Sequence, residues 1–401
     1  MKVLFLNTVC GAGSTGNIAT GLLELLKADG NTGIVAYGYG QGKKVGPGES
    51  YKTVSKAGYY THNLLSRLTD HEGRFSAAAT RKLVQQIRAW DPDVIHLHNL
   101  HGHYVHYEIL FDYLKKAGKP VVWTLHDCWA FTGHCTHFEA VRCPKWQTGC
   151  HHCSQLGQYP QCHSGGDVVR NYRRKKNAFT GVRNLTLAAP SRWMAEQAKQ
   201  SFLKEYPVQV IHNGIDLSVF RPTQGDFRRK YRCEDKFLLL GVAFGWGPRK
   251  GLDVFIQLAK RLDDRFQIVL AGTDETLDKQ LPPNIISIHR TENQGQLAEI
   301  YTAADLFINP TREEVLGLVN IEALACGTPV VTFRTGGSPE CVDESCGIVV
   351  PKDDLAALEQ AILTVFRDRP FSPDACRRKA AEFDKDDRFR EYLELYDKLC
   401  K

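Results

Sequence analysis

Short apolar runs alternate with helical stretches along this chain, and the alternation starts afresh near residue 236. In the first half VLFLN (3–7), TGIVAYG (32–38), DPDVIHLHN (91–99), PVVWTLHD (120–127), LTLAAPS (185–191) and VQVIHNG (208–214) read as strands. Helices are expected through Leu22, Leu23 and Leu26, over 81–90 and over 107–117. In the second half KFLLLGVAF (236–244), QIVLAG (267–272), IISIHR (285–290), DLFINP (305–310), PVVTF (329–333) and GIVV (347–350) are strands, with helices such as 251–263 and 295–303 between them. Strands separated by helices imply parallel sheets covered on both faces. The expected class is α/β, with two doubly wound parallel-sheet domains.

Pro222, Gly225 and a charged run mark a linker over 221–235, so the expected domains are 1–220 and 221–384. The stretch 385–401 forms a last helix with Phe389, Tyr392, Leu393, Tyr396 and Leu399 on one side. Open parallel sheets bind ligands beyond the carboxyl ends of their strands. The Gly11–Gly16 loop, His98 and His126 end strands of the first half; Lys250, Glu314 and Gly337 end strands of the second. All these residues fall on carboxyl edges, which is the arrangement of two domains facing a shared cleft.

Composition narrows the class of protein. Hydrophobic residues make up 43% and charged residues 24%, as in ordinary globular chains. No run approaches ~20 consecutive apolar residues, so no membrane-spanning helix is expected. The start, MKVLFLNTVCGAG, reads as a buried strand rather than a signal segment, and the expected compartment is the cytosol, where thiols stay reduced. A net charge of +6 suits anionic substrates or lipid surfaces. Without a stripe of interleaved basic and aromatic residues, it does not indicate nucleic acid.

The most informative segment is EVLGLVNIEALACGTP, residues 314–329. The strand before it stops at Pro310, and Ile321, Leu324 and Ala325 give the spacing of a buried helix face that Gly327 and Pro329 end. Glu314 then lies in the loop after a strand. Gly317, Leu318 and Val319 lie where a helix begins, with N–H groups free to hold an anion. Glu322 is expected in the first turn. A carboxylate, an anion cradle and a second carboxylate suit a sugar, a diphosphate and a ribose.

This Glu-x7-Glu segment resembles the donor-site motif of the retaining GT-B glycosyltransferases of family four. VIHNGIDLSVFRP (210–222), Gly336-Gly337 with Glu340, Lys250-Gly251 after an apolar strand, and Thr124-Leu125-His126-Asp127 resemble further landmarks of that family, in the same order. HLHNLHG (96–102) and HDCWAFTGHC (126–135) look most like transferases of bacterial exopolysaccharide and capsule, of the colanic-acid kind. The resemblance implies two Rossmann-like domains and a nucleotide diphosphate sugar donor. It also implies a glycan or lipid-linked acceptor, and front-face transfer with retention of configuration. It assigns Lys250 and Arg249 to the diphosphate, with Gly13, Gly317, Leu318 and Val319, and Glu322 to the ribose. Backbone near Ile288 would meet the base. Glu314 and His126, with Lys250, would act at the sugar and its leaving phosphate, and His98, Ser14 and Thr15 would lie on the acceptor side. The last helix would cross back to the first domain. No metal or other cofactor is expected in catalysis. The chain departs from the family where an arginine five or six residues before the lysine is usual: Phe244 and Gly245 stand there.

Three features fall outside that pattern. His96, His98, His101, His103 and His106 crowd one segment, and hydrogen bonding by His98 is favoured over a metal site. Six of the thirteen cysteines lie in the insert 128–162. There Cys135, Cys143, Cys150 and Cys153 are spaced for a structural zinc, with free thiols or a disulfide as the other reading. Arg170, Arg173, Arg174, Lys175 and Lys176, with Val168, Val169, Tyr172 and Phe179, read either as a solvated helix face or as a peripheral contact with an anionic membrane. Two other functions remain open at this stage: a GT-B sugar-nucleotide epimerase, and a non-catalytic nucleotide-sugar-binding module.

Overall fold

A computed structural model describes all 401 residues. They form two compact units, Met1–Ile211 together with Phe389–Lys401, and His212–Arg388. The expected linker 221–235 lies inside the second unit. Ile215, Phe220 and Phe227 are buried in its core, and Arg228 donates to the carbonyls of Ala303 and Lys236. Apolar anchors thus move the division upstream of the charged stretch.

The first unit is built on seven parallel strands: β1 (Lys2–Val9), β2 (Thr32–Tyr39), β3 (Ser50–Lys52), β4 (Val94–Leu97), β5 (Val121–Thr124), β6 (Leu185–Ala189) and β7 (Val208–Val210). Their order is β3-β2-β1-β4-β5-β6-β7. The sheet is wound outward in both directions from the β1/β4 pair, where Val3 to Leu6 register with Val94 to Leu97. Every residue of β4, β5 and β6 is buried, because helices cover both faces.

One of these covers comes from residues 389–401. Phe389, Tyr392, Leu393, Leu395 and Tyr396 share a core with Val3, Phe5, Leu22, Leu26 and Val122. Gly21 on helix Gly13–Ala28 makes room for the Phe389 ring; a Cβ there would stand 2.6 Å from it. Polar groups on the same face are matched. Tyr396 and His96 Nδ1 are hydrogen-bonded at 2.6 Å, His96 Nε2 and Thr124 Oγ1 at 2.8 Å, and Thr124 donates to the Tyr392 hydroxyl at 3.1 Å.

The second unit holds β8 (Phe237–Val242), β9 (Phe266–Ala271), β10 (Ile285–Ile288), β11 (Leu306–Asn309), β12 (Val330–Phe333) and β13 (Gly347–Val350). All are parallel, in the order β10-β9-β8-β11-β12-β13, and the winding reverses between β8 and β11. Each unit therefore has one topological switch point.

Strand β3 and helix Lys56–Thr69 give no periodic core signal. The strand is three residues long and not fully buried. The helix turns Tyr60, Leu64 and Leu68 outward, each at least half exposed, and starts because the Ser55 side chain accepts from Gly58 N–H.

Candidate functional site

In the second unit the suspected residues gather at the switch point. The chain leaves β8 through a short turn, Pro248–Lys250, and Gly251 opens helix Leu252–Arg261. Gly251 has φ +75°, and a Cβ on it would stand 2.4 Å from the Pro310 carbonyl oxygen just after β11. Only glycine lets the two loops approach so closely. The approach brings Lys250 Nζ to 2.7 Å from Glu314 Oε2. Both side chains keep about a fifth of their surface in solvent, 19% and 20%. Arg249 is exposed and its carbonyl accepts from Arg312 N–H at 2.9 Å. The neighbouring guanidinium of Arg312 is committed to Asp253 and Asp353.

Gly317, at φ +90°, precedes helix Leu318–Ala325. The first amides of that helix, Leu318 and Val319, have no carbonyl one turn earlier to bond. Three buried polar atoms without hydrogen-bond partners lie nearby in the chain: Asn320 Nδ2, Thr335 Oγ1 and Ser338 Oγ. A Cβ at Gly317 would meet two of them, Asn320 Nδ2 at 3.0 Å and Ser338 Oγ at 3.1 Å. Gly336 is packed against the Glu314 backbone, where a Cβ would fall 1.6 Å from the carbonyl oxygen. The pair of glycines and Glu314 form one rigid corner. Glu340 of the same motif pairs with His212 at 2.9 Å.

Glu322 sits one turn later than the sequence suggests. The helix opens at Leu318, so its first turn carries no acid. Its carboxylate accepts from the Tyr301 hydroxyl at 2.9 Å. Burial pushes its pKa up to about 7, opposed by that hydrogen bond. Ile288 closes β10, and its carbonyl already accepts the N–H of Gly272 and Thr273.

In the first unit the glycine loop follows β1, and helix Gly13–Ala28 begins with Gly13 and Ser14 exposed. Thr15 Oγ1 accepts from Asn7 Nδ2 at 3.2 Å. This loop and His98, which follows β4, flank the switch point. His98 is 1% exposed and is hydrogen-bonded through Nδ1 to His126 Nε2 at 2.8 Å, the two rings stacked 10° from parallel. It lies behind His126 rather than on an open surface, because a residue closing a central strand is covered by the helices on either face. Burial lowers the His126 pKa to about 4, so that ring is neutral at physiological pH.

His101 and His103 have carboxylate partners that lie far off in sequence. His101 bridges Asp127 at 2.7 Å and the Tyr159 hydroxyl at 2.9 Å. Burial works against the Asp127 charge, yet His101 brings its pKa down to about 2. Glu72 Oε2 lies 2.8 Å from His103 Nδ1, and Oε1 accepts the N–H of Gly102 and His103. With His62 these three side chains form a buried cluster whose donor atoms are all within 4.8 Å of one another. The helix Val168–Phe179 buries Val168, Tyr172, Lys175 and Phe179 and leaves Val169, Arg170, Arg173 and Lys176 exposed. Most of its apolar residues therefore serve the core. No helix is long and apolar enough to cross a membrane.

Two parallel sheets, each with one topological switch point and a glycine-opened loop, make two Rossmann-like units. Family models agree: Glycosyltransferase Family 4 matches residues 23–219, and Glycosyl transferases group 1 matches residues 235–368. The chain belongs to these GT-B glycosyltransferases. Over its full length it is similar to WcaC of Escherichia coli K12, a glycosyl transferase assigned to colanic acid biosynthesis, with 23% identity and 100% of both chains covered. A GDP-mannose-dependent phosphatidylinositol monomannoside mannosyltransferase of Corynebacterium glutamicum is 28% identical over 44% of this chain and 52% of its own. Among solved structures, sucrose-phosphate synthase of Thermosynechococcus elongatus aligns with a TM-score of 0.67 at 18% identity, over 99% of this chain and 98% of that one. Anabaena HepE in complex with UDP-glucose also gives 0.67 at 18%, over 99% and 100%.

Proposed function

We propose that this glycosyltransferase moves a sugar from a nucleotide diphosphate sugar to a glycan or lipid-linked acceptor, with retention of configuration, in the assembly of a cell-surface polysaccharide. The observation that carries the reading is the β8/β11 switch point. There a lysine paired with a carboxylate, a helix start and, within that helix, a second carboxylate follow one another. Lys250 and the amides of Leu318 and Val319 compensate the charge that builds on the departing diphosphate, and Arg249 has the free reach to join them. Glu322 accepts from the ribose hydroxyls. Glu314, steered by Lys250 and pinned by Gly336, orients the sugar ring. His126, neutral and backed by His98, offers the sugar a hydrogen bond rather than a charge. The glycine loop at Gly13, Ser14 and Thr15 serves the phosphate and acceptor side. The departing phosphate takes the acceptor proton, so no protein nucleophile is required.

The test is a panel of UDP-, GDP-, ADP- and TDP-sugars read by thermal shift. A ligand at 100 times its dissociation constant adds about 2.7 kcal/mol of stability. The reading requires a hit whose thermal shift shrinks in Lys250→Ala, and a product whose anomeric configuration, read by NMR, matches the donor. Inversion, or a hit unaffected by Lys250→Ala, refutes it. Turnover distinguishes transfer from epimerisation or mere binding.

The exposed Tyr60, Leu64 and Leu68 lie four residues apart on helix Lys56–Thr69. The end of that segment is tied to the basic helix through His71 and Asp167 at 2.9 Å. These apolar side chains, with the exposed Arg170, Arg173 and Lys176 of the linked helix, support docking on an anionic membrane, where a lipid-linked acceptor would reside. Leu64→Glu with Leu68→Glu should abolish co-sedimentation with phosphatidylglycerol vesicles while leaving donor binding intact.

A further inference from the structure

The segment between β5 and helix Val168–Phe179 has no strand and no α-helix, only the short turns Trp129–Phe131 and Lys145–Gln147. A stretch of this length without regular structure is uncommon inside a compact domain. Yet it is folded inward: Trp129, Phe131, Phe138 and Trp146 are all buried. Some further constraint has to fix it.

Cys135, Cys143, Cys150 and Cys153 all border one small cavity of about 30 Å³ within this segment, room for a single ion. The thiols of Cys135 and Cys153 are hydrogen-bonded to each other. Two sulfurs accept backbone N–H groups, Cys150 from Gly133 at 3.1 Å and Cys153 from Gln155 at 3.4 Å. Amide donors aimed at sulfur stabilise thiolate rather than thiol and hold a metal ligand in orientation. Gly133 is needed for the first of these, since a Cβ there would stand 2.7 Å from Cys150 Cβ.

A histidine borders the cavity, and a buried ammonium interacts electrostatically with two of the cysteines. His134 lines it, with Nδ1 held by Asp70 and Nε2 buried without a partner. Lys175 is 2% exposed; its ammonium donates to the Trp129 carbonyl at 2.8 Å and lies 3.6 Å over the indole ring. Cys135 and Cys150 are the first groups that favour its charge. An unpaired buried ammonium is costly. A cluster carrying net negative charge beside it offsets that cost.

We propose that Cys135, Cys143, Cys150 and Cys153 bind one structural zinc ion as four thiolates, with the buried ammonium of Lys175 offsetting part of the charge of the cluster. Four thiolates leave no open position for water, so the ion organises the segment and takes no part in transfer. On binding, each thiol gives up its proton to solvent and its sulfur lone pair to the metal, with no change of oxidation state. The ion fixes the loop that begins at His126 and Asp127 and ends at Tyr159, so its loss reaches the acceptor side through geometry.

The test uses the full chain, purified without added metal or chelator. Elemental analysis should find one zinc per chain, released in proportion as a mercurial titrates the thiols. Cobalt put in its place should give the thiolate charge-transfer and tetrahedral bands of a four-sulfur site. Cys150→Ser with Cys153→Ser should bind none, and Lys175→Met should weaken retention against a chelator. Zinc-free wild-type protein that keeps its fold would overturn the proposal. So would disulfides among the four cysteines after alkylation of freshly lysed cells, or a cobalt spectrum without thiolate bands. Because three of these measurements use the wild-type chain, an unstable double variant does not shelter the proposal.

Discussion

Glu322 should make donor binding depend on pH in a particular direction. Its carboxyl is buried, and its pKa stands at about 7 against 4.5 for an ordinary glutamate. The charged form accepts ribose hydroxyls better than the neutral form, so binding favours deprotonation and releases a proton when it occurs below the pKa. At pH 6 roughly a tenth of the molecules are ionised and at pH 8 roughly nine tenths, and apparent affinity scales with that fraction. The dissociation constant should therefore fall about tenfold from pH 6 to pH 8, or about 1.4 kcal/mol, and level off above. Nucleotide diphosphate sugars do not titrate in this window, so isothermal calorimetry with the best donor of the panel measures the protein alone. Buffers of different ionisation enthalpy should reveal close to one proton released at pH 6. Glu322→Gln should flatten the profile. Tyr301→Phe removes the hydrogen bond that holds the pKa down and should move the midpoint upward. A flat wild-type profile, or a slope retained in Glu322→Gln, would refute the assignment of this carboxylate to the ribose.

Lys250→Ala deletes a charged hydrogen bond and leaves Glu314 without its lysine; donor affinity should fall about 10- to 150-fold, from the roughly 1.5–3 kcal/mol of such bonds, as read by calorimetry. Gly336→Ala meets both a positive φ of +53° and the Glu314 carbonyl; stability in urea should drop by about 1–3 kcal/mol, with turnover falling further than stability because Glu314 must shift. Tyr396→Phe leaves His96 Nδ1 buried without its partner and should cost about 1–3 kcal/mol in urea unfolding, while Tyr60→Phe on the exposed helix should cost nothing measurable.

The central strands were legible in the sequence because burial on both faces makes them mostly apolar, as in β4, β5 and β11. The residues after them were legible for the same reason: parallel strands all deliver their next loop to one edge. Helix Lys56–Thr69 was not, since its large apolar residues face outward and its pattern lacks a buried stripe. Glu72 and Asp70 were passed over because nothing local distinguishes a surface acid from one that meets a histidine 31 or 64 residues away. The burial of His98 was not legible, because strand alternation gives the face of a side chain but not the depth of what covers it. Glu322 was placed in the first turn because the sequence shows Gly317 without its φ and so does not fix which residue opens the helix; with Leu318 first, Glu322 is the fifth residue.

The return of residues 389–401 to the first sheet makes the second unit, in covalent terms, an insertion within the first. A ribosome that has released residues 1–211 has not yet supplied Tyr392 and Tyr396, so His96 Nδ1 waits without its partner until residues 389–401 have been made. Expression of 1–211 by itself should yield an unstable fragment, and supplying 385–401 as a separate peptide should rescue it. The second unit is thus made in full before the first sheet receives its last cover.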